Sequence, residues 1–139
     1  MTEQFSSTAE KEIQAVVSLL PAATEIVAAV GGADWLVGRS HECDWPAAVA
    51  DLPALTIPKL DPALPSDEID RQVKAAAGGA LFELDETLLD QLAPDLILTQ
   101  AACRVCAVDA DAVVAAAAKN QPARRANAAG ADAVAAVAD

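Results

Sequence analysis

Short apolar runs alternate along this chain with segments that begin and end like helices. Residues 15–20 read AVVSLL and stop at Pro21, where a helix can begin because proline is tolerated in a first turn. Further strands are predicted at 36–39 and 81–84, and the run DLILTQ at 95–100 has the continuous apolar, β-branched content of a buried strand. The pattern predicts the α/β fold class: a parallel sheet flanked by helices, with ligands bound beyond the carboxyl ends of its strands.

The first predicted helix follows Pro21 and ends at the Gly31-Gly32 pair, which is a typical helix stop. Its apolar side chains Ile26, Val27 and Val30 are expected to face the sheet.

The middle of the chain is expected to contain a long connection followed by two further helices. Five prolines between 46 and 65 indicate an extended, non-helical connection with an edge strand at 54–57. Ser66 starts the next helix, and Asp85 is expected to cap the N-terminus of the one after it.

We expect three regions along the chain. Residues 1–14 are predicted to be disordered, and 15–108 to form an α/β ligand-binding lobe. Residues 109–139 are rich in alanine, which favours a helix to about residue 119 and then a frayed or disordered tail.

The acidic composition restricts the class of partner. A net charge of −12 repels phosphate backbones and anionic lipid, so neither nucleic acid nor a membrane surface is an expected partner. The first fifteen residues have no signal-peptide pattern, and no window approaches the ~18 apolar residues of a membrane span. These observations predict a cytoplasmic protein for the sequence as given.

The segment SHECDWP at 40–46 concentrates reactive side chains in a chain that has one histidine and three cysteines. His41 and Cys43 follow the predicted strand at 36–39, and Cys103 and Cys106 follow the one at 95–100. A parallel sheet would place both loops at the same edge, so we expect them to meet. One imidazole and three thiols are ligands that zinc prefers. The alternatives are buried, unreactive cysteines or a disulfide; a thioredoxin-like redox motif has less support because the residues between Cys103 and Cys106 do not match it.

Aromatic residues make up 3% of the chain, so each tryptophan is a candidate for ligand contact. Trp45 lies in the acidic loop beside Asp44, where a flat ring suits a planar ligand, whereas Trp35 is equally well explained by core packing. No catalytic set emerges from one histidine without a nucleophile motif, so we expect a binding protein and not an enzyme.

An ordered series of motifs resembles a known family. The motifs are VVSLLPAATEIVAAVGGADWLVGRSHECDWP, LPALTIPKLDP, LDETLLDQLAPDLILTQ and CRVCAV. Over about residues 15–108 the chain resembles the amino-terminal half of a cobalamin-binding family of substrate-binding proteins from ABC importers. The resemblance implies two α/β lobes joined by one long helix, with a corrinoid or iron chelate held between them.

By position, the resemblance implies both a ligand site and a docking site. Glu86 is the nearest match to the acidic residue that docks on the importer's permease, and cobalamin is the implied ligand, with His41 as a candidate ligand to cobalt. The residues implied to line this lobe's side of the cleft are Pro21, Ala22, Thr24, His41, Glu42, Asp44, Trp45 and Gln100.

The chain also departs from the family. It has about half the expected length and loses the family pattern after residue 108, which favours a truncated or frameshifted product with weak binding. An uncovered lobe surface favours self-association. Family members are often periplasmic or at the cell surface, in contrast to the cytoplasmic location expected here.

Overall fold

A computed structural model describes residues 13–76, 81–101, 108, 110–120 and 133–137. Two short 3-10 turns, at Ala33–Trp35 and Ala47–Asp51, accompany its helices and strands. The main elements in chain order are β1 (Val16–Ser18), α1 (Pro21–Ala29), β2 (Leu36–Arg39), β3 (Thr56–Pro58), α2 (Ser66–Ala75), β4 (Phe82–Leu84), α3 (Glu86–Leu92), β5 (Leu96–Gln100), α4 (Ala110–Asn120) and β6 (Ala133–Val137).

The main sheet is parallel and has the strand order β2-β1-β5-β6. Val16 of β1 pairs with Leu36 on one side and with Leu96 on the other. The predicted α/β class, with a parallel sheet flanked by helices, is therefore confirmed. Because the strands are parallel, the carboxyl ends of β2, β1 and β5 lie at one edge of the sheet.

Strands β3 and β4 do not join that sheet, contrary to the expectation that all predicted strands belong to one parallel sheet. They form a separate antiparallel pair in which Thr56 lies opposite Leu84 and Pro58 opposite Phe82. Proline has no N–H to donate to a sheet ladder, so a strand that ends in Pro58 suits a short peripheral ribbon.

Alternation along the strands divides the apolar side chains between two cores. Val16 and Leu36 face the core that also holds Cys43 and Val49. Val17 and Ile97 face the opposite core, where α3 and α4 contribute Leu89 and Val113. The sheet is thus covered on both faces, as a parallel sheet requires.

The buried face of α1 differs from the predicted one. Ile26 and Val30 are 63% and 73% exposed, and Val27 is the member of the predicted stripe that packs on the core beneath the helix. Ala23 and Thr24 are the buried residues of this helix. Residues 23, 24 and 27 therefore form the face of α1 that packs on the sheet, which is the spacing of one side of an α-helix.

Both predicted helix signals are confirmed. Gly31 has φ +87°, and the N–H groups of Gly31 and Gly32 donate to the carbonyls of Ala28 and Val27 at 3.1 and 2.9 Å, which closes α1 in a Schellman motif. At the start of α3, the Asp85 carboxylate accepts a hydrogen bond from the N–H of Leu88 at 2.8 Å.

Two other expectations need correction. The proline-rich connection contains a 3-10 turn at Ala47–Asp51, where the N–H of Val49 donates to Pro46 O at 2.8 Å and Val49 is buried. In the alanine-rich region α4 agrees with the predicted helix. Ala133–Val137, in the predicted frayed tail, forms β6 and pairs in parallel with β5. The pairing gives hydrogen-bond partners to backbone N–H and C=O groups at the edge of β5.

The longest described helix, α4, has 11 residues. Within the described part of the chain, no helix combines the length and apolar character needed to cross a bilayer.

Thr99 on β5 is fully buried, and within the part of the chain that the structure describes its Oγ1 has no hydrogen-bond partner. A buried hydroxyl without a partner costs free energy, and valine has nearly the same shape. We expect Thr99→Val to raise the free energy of unfolding by about 1 kcal/mol. Urea denaturation measures the change, and a matched variant, Thr56→Val, should lower stability instead because Thr56 is hydrogen-bonded; equal effects of the two would contradict the assignment.

Candidate functional site

The loops that follow β1 and β2 meet at the carboxyl edge of the sheet, as the family resemblance implied. The N–H of Ser40 donates to Ser18 O at 2.9 Å, and the N–H of Leu19 donates to Leu98 O at 2.9 Å. Gln100 ends β5 at the same edge. Cys103 and Cys106 lie outside the described residues, so the predicted approach of their loop to His41 stays a prediction.

An open depression lies at this edge. Its volume is about 210 Å³ including space open to solvent. Its walls combine apolar groups with a few polar ones, which is the composition of small-molecule sites. The lining residues are Leu19, Pro21, Ser40, His41, Glu42, Thr56, Phe82 and Val108.

His41 is held in this depression from two sides. Its ring nitrogen Nδ1 lies 2.6 Å from Thr56 Oγ1, and its backbone N–H donates to the same oxygen at 2.9 Å. On the other side its ring centroid lies 5.3 Å from that of Phe82, with the planes tilted by 41°. The side chain is 26% exposed, so the ring is positioned but still reachable.

Thr24 and Cys43 belong to a buried network under the start of α1. Thr24 Oγ1 donates to Ser18 Oγ at 2.8 Å and lies 3.1 Å from Cys43 Sγ. Ser18 Oγ in turn donates to Leu20 O at 3.2 Å. This network fastens α1 to the end of β1 and to the loop after β2, so Thr24 acts beneath the site surface.

The His/Cys metal hypothesis is not assembled within the described residues. Cys43 is 1% exposed and packs in the core, whereas His41 contacts Thr56 and Phe82. Among the residues that the structure describes, no group of three or more His, Cys, Asp or Glu side chains converges on one point. Because Cys103 and Cys106 are outside that part of the chain, the four-ligand zinc site stays a prediction.

Two of the remaining predicted ligand contacts, Pro21 and Glu42, line the depression. Gln100 is half-buried at the end of β5. Ala22 and Asp44 are exposed, and Trp45 is 54% exposed. These four residues are not among those that line the depression.

Arg39, which the sequence reasoning did not single out, organises the loop that carries His41. Its guanidinium nitrogens donate to carbonyl oxygens of five residues on either side of the loop. The acceptors are Ser40 O, His41 O, Cys43 O, Ala50 O and Leu52 O, at 2.9 to 3.3 Å. One side chain thereby fixes the backbone from the end of β2 to the 3-10 turn.

Thr56 and Phe82 were also missed. Both lie on the β3–β4 ribbon, which was not predicted to reach the carboxyl edge of the main sheet. Phe82 did have a signal, since the chain contains only two phenylalanines. Thr56 had none, because a threonine in an edge strand is ordinary.

Glu86, the predicted docking residue, starts α3 and lies on the surface. Its carboxylate forms an ion pair with Lys119 of α4, with Nζ to Oε2 at 2.9 Å and side-chain exposures of 51% and 64%. An exposed pair of this kind is weak and exchangeable.

Comparisons with known proteins add no assignment to this geometry. No protein-family model, curated protein or solved structure matches the chain. A functional proposal therefore depends on the residues at the carboxyl edge and on the motif resemblance.

Proposed function

We propose that this chain binds a corrinoid such as cobalamin, or a related metal chelate, as one lobe of the solute-binding component of an ABC importer. Its role is binding and not catalysis. The observation that carries the proposal is a partly exposed imidazole, held between Thr56 and Phe82 in an open depression at the carboxyl edge of a parallel sheet.

The shape of the site supports a large ligand contacted on one side. A volume of about 210 Å³, part of it open to solvent, is below the ~300–1,000 Å³ of sites that enclose a drug-sized ligand. A corrinoid would cover the depression and extend beyond it. The described surface therefore supplies one wall, and binding to it alone is weak.

The loop that carries His41 has side chains that suit the same ligand. Corrinoids are planar and have a cationic metal centre and amide donors around the ring. In that loop Trp45 offers an exposed flat apolar surface, and Glu42 and Asp44 offer carboxylate acceptors for those amides. An acidic site in a chain of net charge −12 disfavours an anionic ligand such as a free phosphate.

Docking on an importer permease is the second part of the proposal. Glu86 is exposed on the surface, and its partner Lys119 is also exposed. A basic pocket on a permease would replace Lys119 with little cost, because exposed ion pairs contribute ~0–1 kcal/mol.

Equilibrium dialysis with cyanocobalamin tests the binding proposal. We expect retention with a Kd on the order of 0.1 mM, because one open wall buries little of the ligand. Trp45→Ala should weaken retention about tenfold through loss of ring contact. Trp35→Ala is the matched control, since Trp35 has similar exposure, 47% against 54%, and lies outside the loop that carries His41. Absence of retention, or equal losses in both variants, would contradict the proposal.

A further inference from the structure

We infer that His41 is an axial metal ligand whose ring is held at Nδ1 by Thr56, so that the site selects planar metal chelates with an exchangeable axial position. This inference rests on the proposed function and specifies its substrate class. Thr56 is a positioning residue, since it acts through the ring of His41.

Thr56 offers an acceptor for the proton that Nδ1 carries when Nε2 binds a metal. Thr56 Oγ1 accepts from the His41 backbone N–H at 2.9 Å, lies 2.6 Å from Nδ1 and lies 3.2 Å from Ser40 Oγ. A threonine hydroxyl has one proton to donate and two lone pairs to accept. When Thr56 donates its proton to Ser40 Oγ, both lone pairs accept, one of them from Nδ1–H. In that arrangement Nε2 of the neutral ring has the free lone pair.

Ser40 is placed to accept the proton of Thr56. Its Oγ lies 3.2 Å from Thr56 Oγ1 and also accepts a hydrogen bond from the N–H of Glu42 at 3.3 Å. Thr56 and Ser40 are 4% and 5% exposed, so water competes little for these hydrogen bonds. The chain Nδ1–H to Thr56 to Ser40 is the kind of outer contact that orients a metal-ligating histidine.

Nε2 is left available on the opposite side of the ring. Within the described residues it has no hydrogen-bond partner, and its nearest charged neighbour is Glu42 Oε1 at 3.9 Å. His41 and Glu42 both line the depression, where a ligand would lie. A carboxylate at that distance is placed to offset positive charge on a metal coordinated by Nε2.

The coordination step is a ligand exchange without electron transfer. The Nε2 lone pair forms a bond to Co(III) while the bond from cobalt to an axial water breaks, and the water leaves with its own electron pair. The oxidation state of cobalt is unchanged, and no proton leaves the ring because Nδ1 keeps its hydrogen. A chelate whose six positions are filled by strongly bound donors offers no position for this exchange.

Two corrinoids with the same ring separate coordination from simple binding. Aquocobinamide has an exchangeable axial water, whereas dicyanocobinamide has cyanide at both axial positions. At pH 8, where free imidazole is neutral, we expect the wild-type chain to bind aquocobinamide at least tenfold more tightly by equilibrium dialysis. The visible spectrum of the bound aquocobinamide should shift toward that of an imidazole complex. Because the chain has a single histidine, the shift has one source.

Variants then test the role of Thr56. His41→Ala should abolish the spectral shift and bind the two corrinoids equally. Thr56→Val should weaken aquocobinamide binding by roughly tenfold or more relative to dicyanocobinamide binding, and Thr56→Ser, which restores a hydroxyl, should recover the preference. Circular dichroism reports whether each variant is folded. If Thr56→Val does not fold, the ligand pair and His41→Ala still decide the inference.

The outcomes distinguish this inference from the proposed function. Equal retention of both corrinoids by the wild type, with no spectral shift, overturns coordination by His41 but leaves the binding proposal intact. Retention of neither corrinoid overturns both. A shift that persists in His41→Ala assigns the ligand to another residue and also overturns the inference.

Discussion

Replacing Arg39 with methionine is expected to lower the free energy of unfolding by about 3 kcal/mol, since hydrogen bonds to a charged group contribute ~1.5–3 kcal/mol each but are not additive. The guanidinium donates to five carbonyls around the loop that carries His41. Methionine keeps the apolar stem and removes every donor. Urea denaturation followed by circular dichroism measures the loss.

Two comparison variants separate this effect from loss of a positive charge. Arg71→Met removes an arginine of α2 that is 69% exposed and pairs with Asp67 and Glu68, so we expect a cost of at most about 1 kcal/mol. Arg39→Lys keeps the charge but cannot place three nitrogens, so it should recover less than half of the loss. Equal costs at Arg39 and Arg71, or full recovery by lysine, would contradict the proposed role.

Replacing Arg39 with methionine should also weaken ligand binding by the loop that carries His41. His41 O and Cys43 O are both acceptors of Arg39, so the position of the imidazole depends on the guanidinium. An Arg39→Met chain that still folds is expected to bind corrinoids more weakly than the wild type does. The stability of the fold and the geometry of the site thus both depend on the Arg39 side chain.

Sequence reasoning succeeded where local signals determine the structure. Pro21, the Gly31-Gly32 pair and Asp85 define helix ends through their own backbone and side-chain chemistry, and each was predicted. The parallel sheet followed from the alternation of strands and helices. Its polarity places the loops after β1 and β2 at one edge. The expected approach of the loop with Cys103 and Cys106 to His41 falls outside the described residues and stays a prediction.

It failed where distant contacts decide the outcome. The stripe on α1 was assigned by apolar residue type, yet the burial of Val27 and the exposure of Ile26 depend on how the helix leaves β1. The antiparallel pairing of β3 with β4 joins residues 24 or more positions apart, and no local signal specifies such a pairing.

The candidate site shows the same division. His41 and Trp45 were found because histidine and tryptophan are rare in this chain. Thr56 and Arg39 were missed because their importance lies in which atoms they meet, and an ordinary threonine or arginine has no signature in the sequence. A buried Thr56 with three hydrogen-bond contacts becomes recognisable only after the ribbon is placed beside the loop.

Gly38 on β2 is expected to tolerate no side chain without a change in the core. An added Cβ would lie 2.5 Å from Leu55 Cδ1, 2.9 Å from Leu92 Cδ1 and 3.2 Å from Val17 Cγ2. Leu55 is fully buried, so its methyl group cannot move without displacing other core atoms. We expect Gly38→Ala to lower the free energy of unfolding by about 2 kcal/mol through overpacking.

A double-mutant cycle with Leu55→Ala tests that cause. Leu55→Ala alone should cost ~2–5 kcal/mol, but it removes the methyl group that the new Cβ meets. The loss of unfolding free energy caused by Gly38→Ala should therefore be smaller by about 1 kcal/mol or more in the Leu55→Ala background. Gly31→Ala is the control, because an added Cβ there meets no described atom within 4 Å. Its cost comes from the backbone, which has φ +87° at this position. The loss of about 1 kcal/mol should therefore be the same in both backgrounds. Additivity at Gly38 would show that contact with Leu55 is not what requires a glycine there.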